Sequence, residues 1–530
     1  MEFVLISSPE LQSGSQPLGP LLSDVPLKNP NQPGLKFYAF DGLFLASNEM
    51  DADEVSAIGF DGSAIDNHRA HNSSLNRRPT HSQLVDYLDG TMDKENKSSL
   101  RGMFCAVRLN PHTRAFNIAT DPVSAYPLAI CGFGETLIVS NNIALLETAV
   151  RAFGLSLSKS SKSLVMGMVL GVSPGNRTGF REVALLAPGK LITGIGPNWR
   201  IIDQAPTSMP DFTSQKEFVS KVVHRLSYNV SACNSLLDAT TVTHRSAQDL
   251  FASVLKSGFH PADDQADKIE RLWRTKHAMG SAVMTQECYW RSLQTPTVSA
   301  LFDFSLCPSN VTTQPETLFW KTPFRSLMEF SNSDPMYFAA LTAKLRQPTS
   351  EAPALALAIA REHSDTNGLI RRSFLRQCME RLVEEIFKSS NMQKNGGRAA
   401  IGRFHMRQET LVLSADNHRS PVFVPLLDPW FSSDALNNSK LNLDPAKLLQ
   451  HIIKALGTKT ENPPQQPIAP SGNAIRMEAL AVGESLPSRA ECWTFLNRQK
   501  TLKWLNNHKH ANRMASTYSS LLQIFSWSAE

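Results

Sequence analysis

The stretch 104–120, FCAVRLNPHTRAFNIAT, decides how the first two fifths of the chain are read. Two short apolar runs, FCAVRL and AFNIAT, flank the turn-forming Asn110-Pro111-His112-Thr113, which is the pattern of paired β-strands. The same alternation extends outward in both directions. LKFYAF (35–40), GLFLAS (42–47), SAIGF (56–60), LIVS (137–140), KLITGI (190–195) and WRIID (199–203) are further short apolar runs bounded by turn residues. Three helices interrupt them, at Ser82–Leu88, Asn142–Phe153 and Ser161–Leu170, the second with apolar residues recurring at three and four. Residues 35–205 therefore read as a sheet-rich α+β domain. Residues 1–34, rich in Ser, Pro, Gly, Leu and Asn beyond residue 7, read as an irregular arm.

The remainder changes period. Ser214–Val230 predicts a helix, SLLDATTV (235–242) a short strand and Ala247–Lys256 a helix, the opening unit of an α/β domain over 213–457. Helical patterns follow at Asp264–His277, Asp334–Leu345, Pro353–Glu362, Ser373–Lys388 and Asp444–Leu456. Residues 458–472 carry four prolines and read as a linker, and 473–530 as a basic, aromatic helical segment.

Composition narrows the class. A chain of 530 residues with 42% hydrophobic and 19% charged residues is neither disordered, a coiled coil nor a collagen-like fibre. A net charge of +5 over this length gives no reason to expect a nucleic-acid partner. No run approaches the roughly 18 to 20 apolar residues of a membrane helix, and MEFVLISSPELQ lacks the basic start of a signal peptide. Seven cysteines, none spaced as CxxC, fit reduced thiols in a cytoplasmic protein. The histidines show no zinc spacing, so no metal site is expected.

Motifs in order along the chain resemble the asparagine synthetase family. Leu100-Arg101-Gly102-Met103-Phe104-Cys105-Ala106-Val107, then Ala119-Thr120-Asp121-Pro122 with Tyr126-Pro127-Leu128, then Leu137-Ile138-Val139-Ser140 resemble that family's "GxFA…RDPxGxxPLYY…ASE" progression. Ala57-Ile58-Gly59-Phe60-Asp61-Gly62 resembles its "NGEI" strand and turn, Leu185–Lys190 its "LPPG" turn, and Val424–Pro429 its "PFLD" element. The resemblance implies an Ntn-hydrolase-like, class II glutamine amidotransferase-like domain over 35–205. An α/β adenine-nucleotide-hydrolase-like asparagine synthase domain with a helical extension would follow it. Lasso-peptide cyclases and β-lactam synthetases share this plan.

The chemistry of the motifs departs from the family. Its glutaminases attack the amide with an N-terminal cysteine, whereas Met1 is followed here by Glu2 and no cysteine precedes Cys105. Glutamine hydrolysis is not expected, and Cys105, in a predicted buried strand, reads as core. The family's nucleotide loop, S/T-G-G-x-D-S, corresponds to Thr243-His244-Arg245-Ser246-Ala247-Gln248. Thr243, Arg245 and Ser246 remain as phosphate-binding candidates, while both glycines and the carboxylate that positions Mg²⁺ are replaced. Gln314–Phe319 is the nearest match to a Gly-Gly-Asp-Glu turn, and only Glu316 and the apolar pair resemble it.

Asp428 would orient a substrate or cap the helix opened by Pro429-Trp430, and Arg407 would face phosphates, an acidic peptide or solvent. The aromatics of 473–530, among them Trp493, Phe495, Trp504 and Phe525, would stack on bases or form one docked apolar face; their spacing favours docking, on the body or on a protein partner. Two functions stay open. One is an ATP- and Mg²⁺-dependent, AMP-producing amide ligase that adenylates a peptide or small carboxylate, with peptide macrolactam formation as one form. The other is a non-catalytic member of the same family that acts by binding; neither reading assigns a catalytic residue.

Overall fold

A computed structural model describes most of residues 1–204 and 472–507, with 240–243, 299–302, 422–423 and parts of 214–224, 368–378 and 518–529. Its best-defined part begins with the first residues of the chain. Phe3–Ser7 forms strand β1, all five residues buried. The reading of 1–34 as an irregular arm is therefore corrected for two segments: β1, and helix α1 (Leu18–Ser23). FVLI is apolar at every position because both faces of its sheet are covered, so it lacks the alternation that marks a half-buried strand.

Strands β2 (Lys36–Phe40), β3 (Leu43–Ser47), β8 (Ala129–Phe133), β9 (Thr136–Ser140) and β10 (Val183–Leu185) complete a six-stranded antiparallel sheet with β1. Its order is β10-β8-β9-β1-β3-β2. β1 sits between β3 and β9, pairing Phe3 with Ser47 and Val4 with Ser140. A second sheet runs β12-β11-β7-β6-β5-β4. It is built from β4 (Asp51–Ala52), β5 (Ala57–Asp66), β6 (Leu100–Asn110), β7 (Ala115–Thr120), β11 (Lys190–Ile195) and β12 (Asn198–Asp203). The two strands of the stretch 104–120 pair as the turn residues imply, Leu109 opposite Phe116. Asp41-Gly42 closes the two-residue β2–β3 hairpin. Gly42 has φ +77 there, and a Cβ would lie 2.5 Å from the Pro197 ring.

Alternation along β1 explains the layers. Met1, Phe3 and Leu5 point into one core with Leu43 and Leu45 of the first sheet and Ala57, Val107, Ile118 and Ile192 of the second. Val4 and Ile6 point the other way, into a core with α1 and α3 (Ile143–Ala152). On the outer face of the second sheet, Leu84, Tyr87 and Leu88 of α2 (His81–Asp89) cover Ile58, Phe60 and Phe104. Thr80 and Gln83 form a capping box at the start of α2, with the Thr80 amide donating to Gln83 Oε1 at 2.9 Å. The result is an α+β domain of two facing antiparallel sheets with helices outside each. Helix α4 (Ser161–Leu170) matches its expected limits.

Further on, β13 (Thr240–Thr243), β14 (Ser299–Phe302) and β15 (Val422–Phe423) form a parallel three-stranded sheet. Near the end of the chain, α5 (Gly472–Ser485), α6 (Cys492–Phe495) and α7 (Arg498–Asn506) pack with the described residues of 368–378 and 518–525. The Asn497 amide donates to Leu369 O at 2.7 Å and the Arg371 amide to Phe495 O at 2.8 Å. Trp493 and Phe525 meet at 5.3 Å between ring centroids, and Trp504 and Tyr518 at 4.9 Å. Trp493, Phe495 and Phe525 are thus core side chains rather than a stacking surface. Among the described residues no helix is long and apolar enough to cross a membrane.

If β1 is a central strand, Leu5→Ala should cost about 2–5 kcal/mol in urea unfolding, the usual range for a Leu-to-Ala core truncation. A residue in an irregular arm would cost about 0.5 kcal/mol or less.

Candidate functional site

β1 carries residue 1 to the end of the sandwich, where β9 finishes at Ser140-Asn141-Asn142 and β3 at Ser47-Asn48-Glu49. Odd-numbered residues of β1 face the second sheet, so the Met1 side chain enters the space between the sheets, 4% exposed. It lies against Gly59 of β5, where a Cβ would fall 2.0 Å from the Met1 sulfur. Only glycine leaves that room. Two residues along β5, on the same face, is Asp61, directly opposite Cys105 of β6.

The Met1 ammonium donates to Asp61 Oδ1 at 3.0 Å and lies 3.6 Å from Glu49 Oε2. The Tyr126 hydroxyl donates to Asp61 Oδ2. The Tyr126 amide donates in turn to Asp121 Oδ2 at 2.8 Å. Asn141 ties these groups to the backbone. Its Nδ2 donates to Met1 O at 3.0 Å, Tyr126 Oη at 3.0 Å and Asp61 Oδ2 at 3.2 Å, and its Oδ1 accepts the Phe3 amide at 2.9 Å. The same Nδ2 is 4.0 Å from Cys105 Sγ.

Glu2 points the opposite way and is nearly fully buried. Its amide donates to Asn48 Oδ1 at 2.7 Å, and its carboxylate accepts from Asn142 Nδ2. Asn142 also caps α3, its Oδ1 accepting the Ala144 amide at 2.9 Å. Consecutive residues at the start of the chain are thus bonded to opposite faces of the first sheet.

Charge explains how the site titrates. Burial of the Met1 amine works against its charge, but the Asp61 carboxylate and its hydrogen bond, helped by Glu49 and Cys105, outweigh it and raise the pKa. The Tyr126 phenol is pushed well above its ordinary value, first by burial and then by the neighbouring Asp61 charge. At neutral pH the amine is therefore a held ammonium, with no lone pair to take a proton. The side chain beside it is a thioether. Cys105 is a wholly buried thiol in the core between the sheets, the place its strand implied. Among the described residues no group of three or more His, Cys, Asp and Glu side chains is placed to hold a metal ion.

Of the nucleotide-loop and substrate candidates, Thr243 is the last residue of β13, at the C-terminal end of a parallel strand. Arg245, Ser246, Arg407 and Asp428 lie outside the described residues. The site that the structure does assemble draws on stretches singled out by sequence, AIGFDG for Asp61, YPL for Tyr126 and LIVS for the strand before Asn141. Met1 and Glu49 were not among them. The available signal was the FVLI run, which, read as a buried strand, places residue 1 at the end of a sheet.

These features define a two-sheet α+β domain with a partly buried ionic cluster at one end of its central strand. No protein-family model matches the chain, and no curated protein does. Among solved structures, one described as the allosteric regulatory enzyme of purine biosynthesis is similar at 11% identity and a TM-score of 0.25. That match covers 60% of this chain and 76% of the other. Glutamine phosphoribosylpyrophosphate amidotransferase from B. subtilis, complexed with ADP and GMP, is similar at 10% identity and a TM-score of 0.20, covering 52% of this chain and 64% of that one. Scores of this size carry no argument about this chain, and the fold stands on its strand pairing.

Two measurements probe the cluster. Folding raises the amine's pKa, so its contribution to stability is complete below pH 8.0, the ordinary value, and fades as pH rises through the folded value. Thermal melting from pH 6 to pH 10 should therefore show an alkaline decline that is shallower in Asp61→Asn, a variant already weaker by about 1–3 kcal/mol at neutral pH. Gly59→Ala should cost about 1–3 kcal/mol by crowding the Met1 thioether.

Proposed function

We propose that this chain is a non-catalytic protein on an asparagine-synthetase-like plan, in which the two-sheet domain serves as a scaffold and the protein acts by binding a partner. The observation that carries this reading is the occupant of the start of β1. A glutaminase of the amidotransferase type needs there a nucleophile open to substrate and an amine able to accept its proton. Met1 offers a buried thioether and an ammonium held by Asp61. Neither group does that work.

The nucleotide loop supports the same reading. Its residues 243–248 supply hydroxyls, an imidazole and a guanidinium but no carboxylate. That donor set does not fit Mg²⁺, which binds through one or two carboxylates together with phosphates. The partner, a protein, would engage the segment 473–530, where α7 exposes Gln499, Lys500 and Lys503.

One observation favours the alternative, an ATP-dependent amide ligase. Thr243 ends a strand parallel to β14, and open α/β sheets place their ligands beyond the C-terminal ends of such strands. In that reading Thr243, Arg245 and Ser246 would face phosphates, and Arg407 and Asp428 a peptide or small carboxylate.

Two assays separate the readings. Purified full-length protein should release no glutamate from glutamine above the buffer rate, and calorimetry at millimolar ATP, with and without Mg²⁺, should show no binding. Saturable ATP binding with pyrophosphate exchange would establish the ligase instead. Glutamine turnover would overthrow both readings.

A further inference from the structure

Four edge strands bound the two sheets, β10 and β2 in one and β12 and β4 in the other. An edge offers a row of open backbone donors and acceptors, which proteins blunt with short strands, charged side chains or proline. β4 has two residues and β10 three, and β12 carries Arg200 and Asp203. β2, KFYAF, has five residues and a single charge, at its first position. Among the described residues it pairs with β3 alone. Its open groups follow from that pairing. The Ser8 amide donates to Gly42 O and the Asn48 amide to Glu2 O, both at 3.1 Å, so even-numbered residues of β3 bond to β1 and odd-numbered ones to β2. Leu43, Leu45 and Ser47 stand opposite Phe40, Tyr38 and Lys36, which therefore bond inward. The amides and carbonyls of Phe37 and Ala39 point outward, and both residues are exposed. On the outer face, Phe37 is 40% exposed and α1 presents Leu21, 46% exposed.

We propose that β2 is a self-association edge, where a second copy of this chain adds its own β2 antiparallel about a two-fold axis. The arrangement of open groups argues for a copy. With Tyr38 on the axis, Phe37 stands opposite Ala39 of the second copy, and Ala39 opposite its Phe37. Each such pair exchanges two N–H···O bonds, so all four open groups of each strand are satisfied. An axis at Ala39 would call on Asp41, a turn residue whose carbonyl already accepts from Arg114, and an axis at Phe37 on Leu35, outside the strand. Side chains agree with the Tyr38 register. The large Phe37 falls beside the small Ala39 of the other copy, and Lys36 falls opposite Phe40, so the one charge of the strand meets a ring and not its own like. The product is a continuous sheet of twelve strands, six from each copy, in which the β2 edge is closed. Five residues a side make a small contact, so the assembly depends on concentration. The surface belongs to the two-sheet domain rather than to the segment 473–530, and it stands whichever function the chain performs.

Sedimentation of the full chain tests this. Between about 1 and 100 µM, the range for a small interface, the protein should pass from monomer to dimer. Ala39→Lys leaves the β2–β3 bonds intact, since residue 39 points its backbone outward, but sets a charged side chain against Phe37 of the second copy. It should raise the dissociation constant at least about tenfold and leave the Tm of the dilute monomer unchanged. Cross-linking reads the register. In Tyr38→Cys the two axial thiols stand on Cα atoms about 4.5 Å apart, within disulfide reach, and a mild oxidant should give a covalent dimer. In Lys36→Cys the equivalent Cα atoms are about 14 Å apart and no cross-link beyond that of the unsubstituted protein should form. Should Ala39→Lys fail to fold, the two cysteine variants carry the test. A monomer throughout the range overturns the proposal, and is the result expected if an unrelated extended strand is what covers this edge. A dimer indifferent to Ala39→Lys overturns it too, as does equal cross-linking at positions 36 and 38.

Discussion

A strand covered on both faces governs this domain. β1 lies at the middle of one sheet, and each of its residues belongs to one of two cores. Leu5 faces the second sheet, and Val4 and Ile6 face the helices. Its neighbours β3 and β9 come from residues 43–47 and 136–140, so the strand joins parts of the chain far apart in sequence. Because no face of β1 is solvated, its end carries charge to a depth where every polar group needs a partner. Asp61, Asn141, Asn142 and Asn48 meet that requirement, and each reaches back to residue 1, 2 or 3. The ionic cluster follows from where β1 sits.

Much of the sheet structure was legible from residues alone, for a physical reason. Strands such as FCAVRL and AFNIAT are separated by Asn, Pro, Gly and Asp, whose backbone preferences end a strand locally. Helices α2, α3 and α4 lie within one residue of their expected limits. β1 was overlooked because a doubly covered strand has no alternation, and the Ser- and Pro-rich stretch after it outweighed four apolar residues. β8 and β10 are short, AICGF and VAL, with too few residues to set a period.

The candidate site was legible only in pieces. Asp61 and Tyr126 stand in stretches that the family resemblance picked out, yet what they do depends on contacts across 60 and 65 residues of sequence. No local pattern encodes such a contact. The resemblance drew attention to the start of the chain, where no cysteine stands. It did not say what would fill the space, which is a thioether admitted by the absence of a side chain at Gly59.

The sheet order has a consequence for biosynthesis. β1 ends at Ser7, but its partner β9 ends at Ser140. At synthesis rates of about 5–20 residues per second, the strand waits roughly 7–30 s before that edge can close. Throughout that interval FVLI is an apolar segment with open backbone groups along at least one edge, the kind of segment that pairs with strangers. The chain must therefore be shielded, or held as a hairpin with β2 and β3, until β9 has emerged and begun to fold. Non-local pairing of this kind is intrinsically slow. The placement of β1 makes the youngest protein in the cell, rather than the finished one, the form most exposed to aggregation.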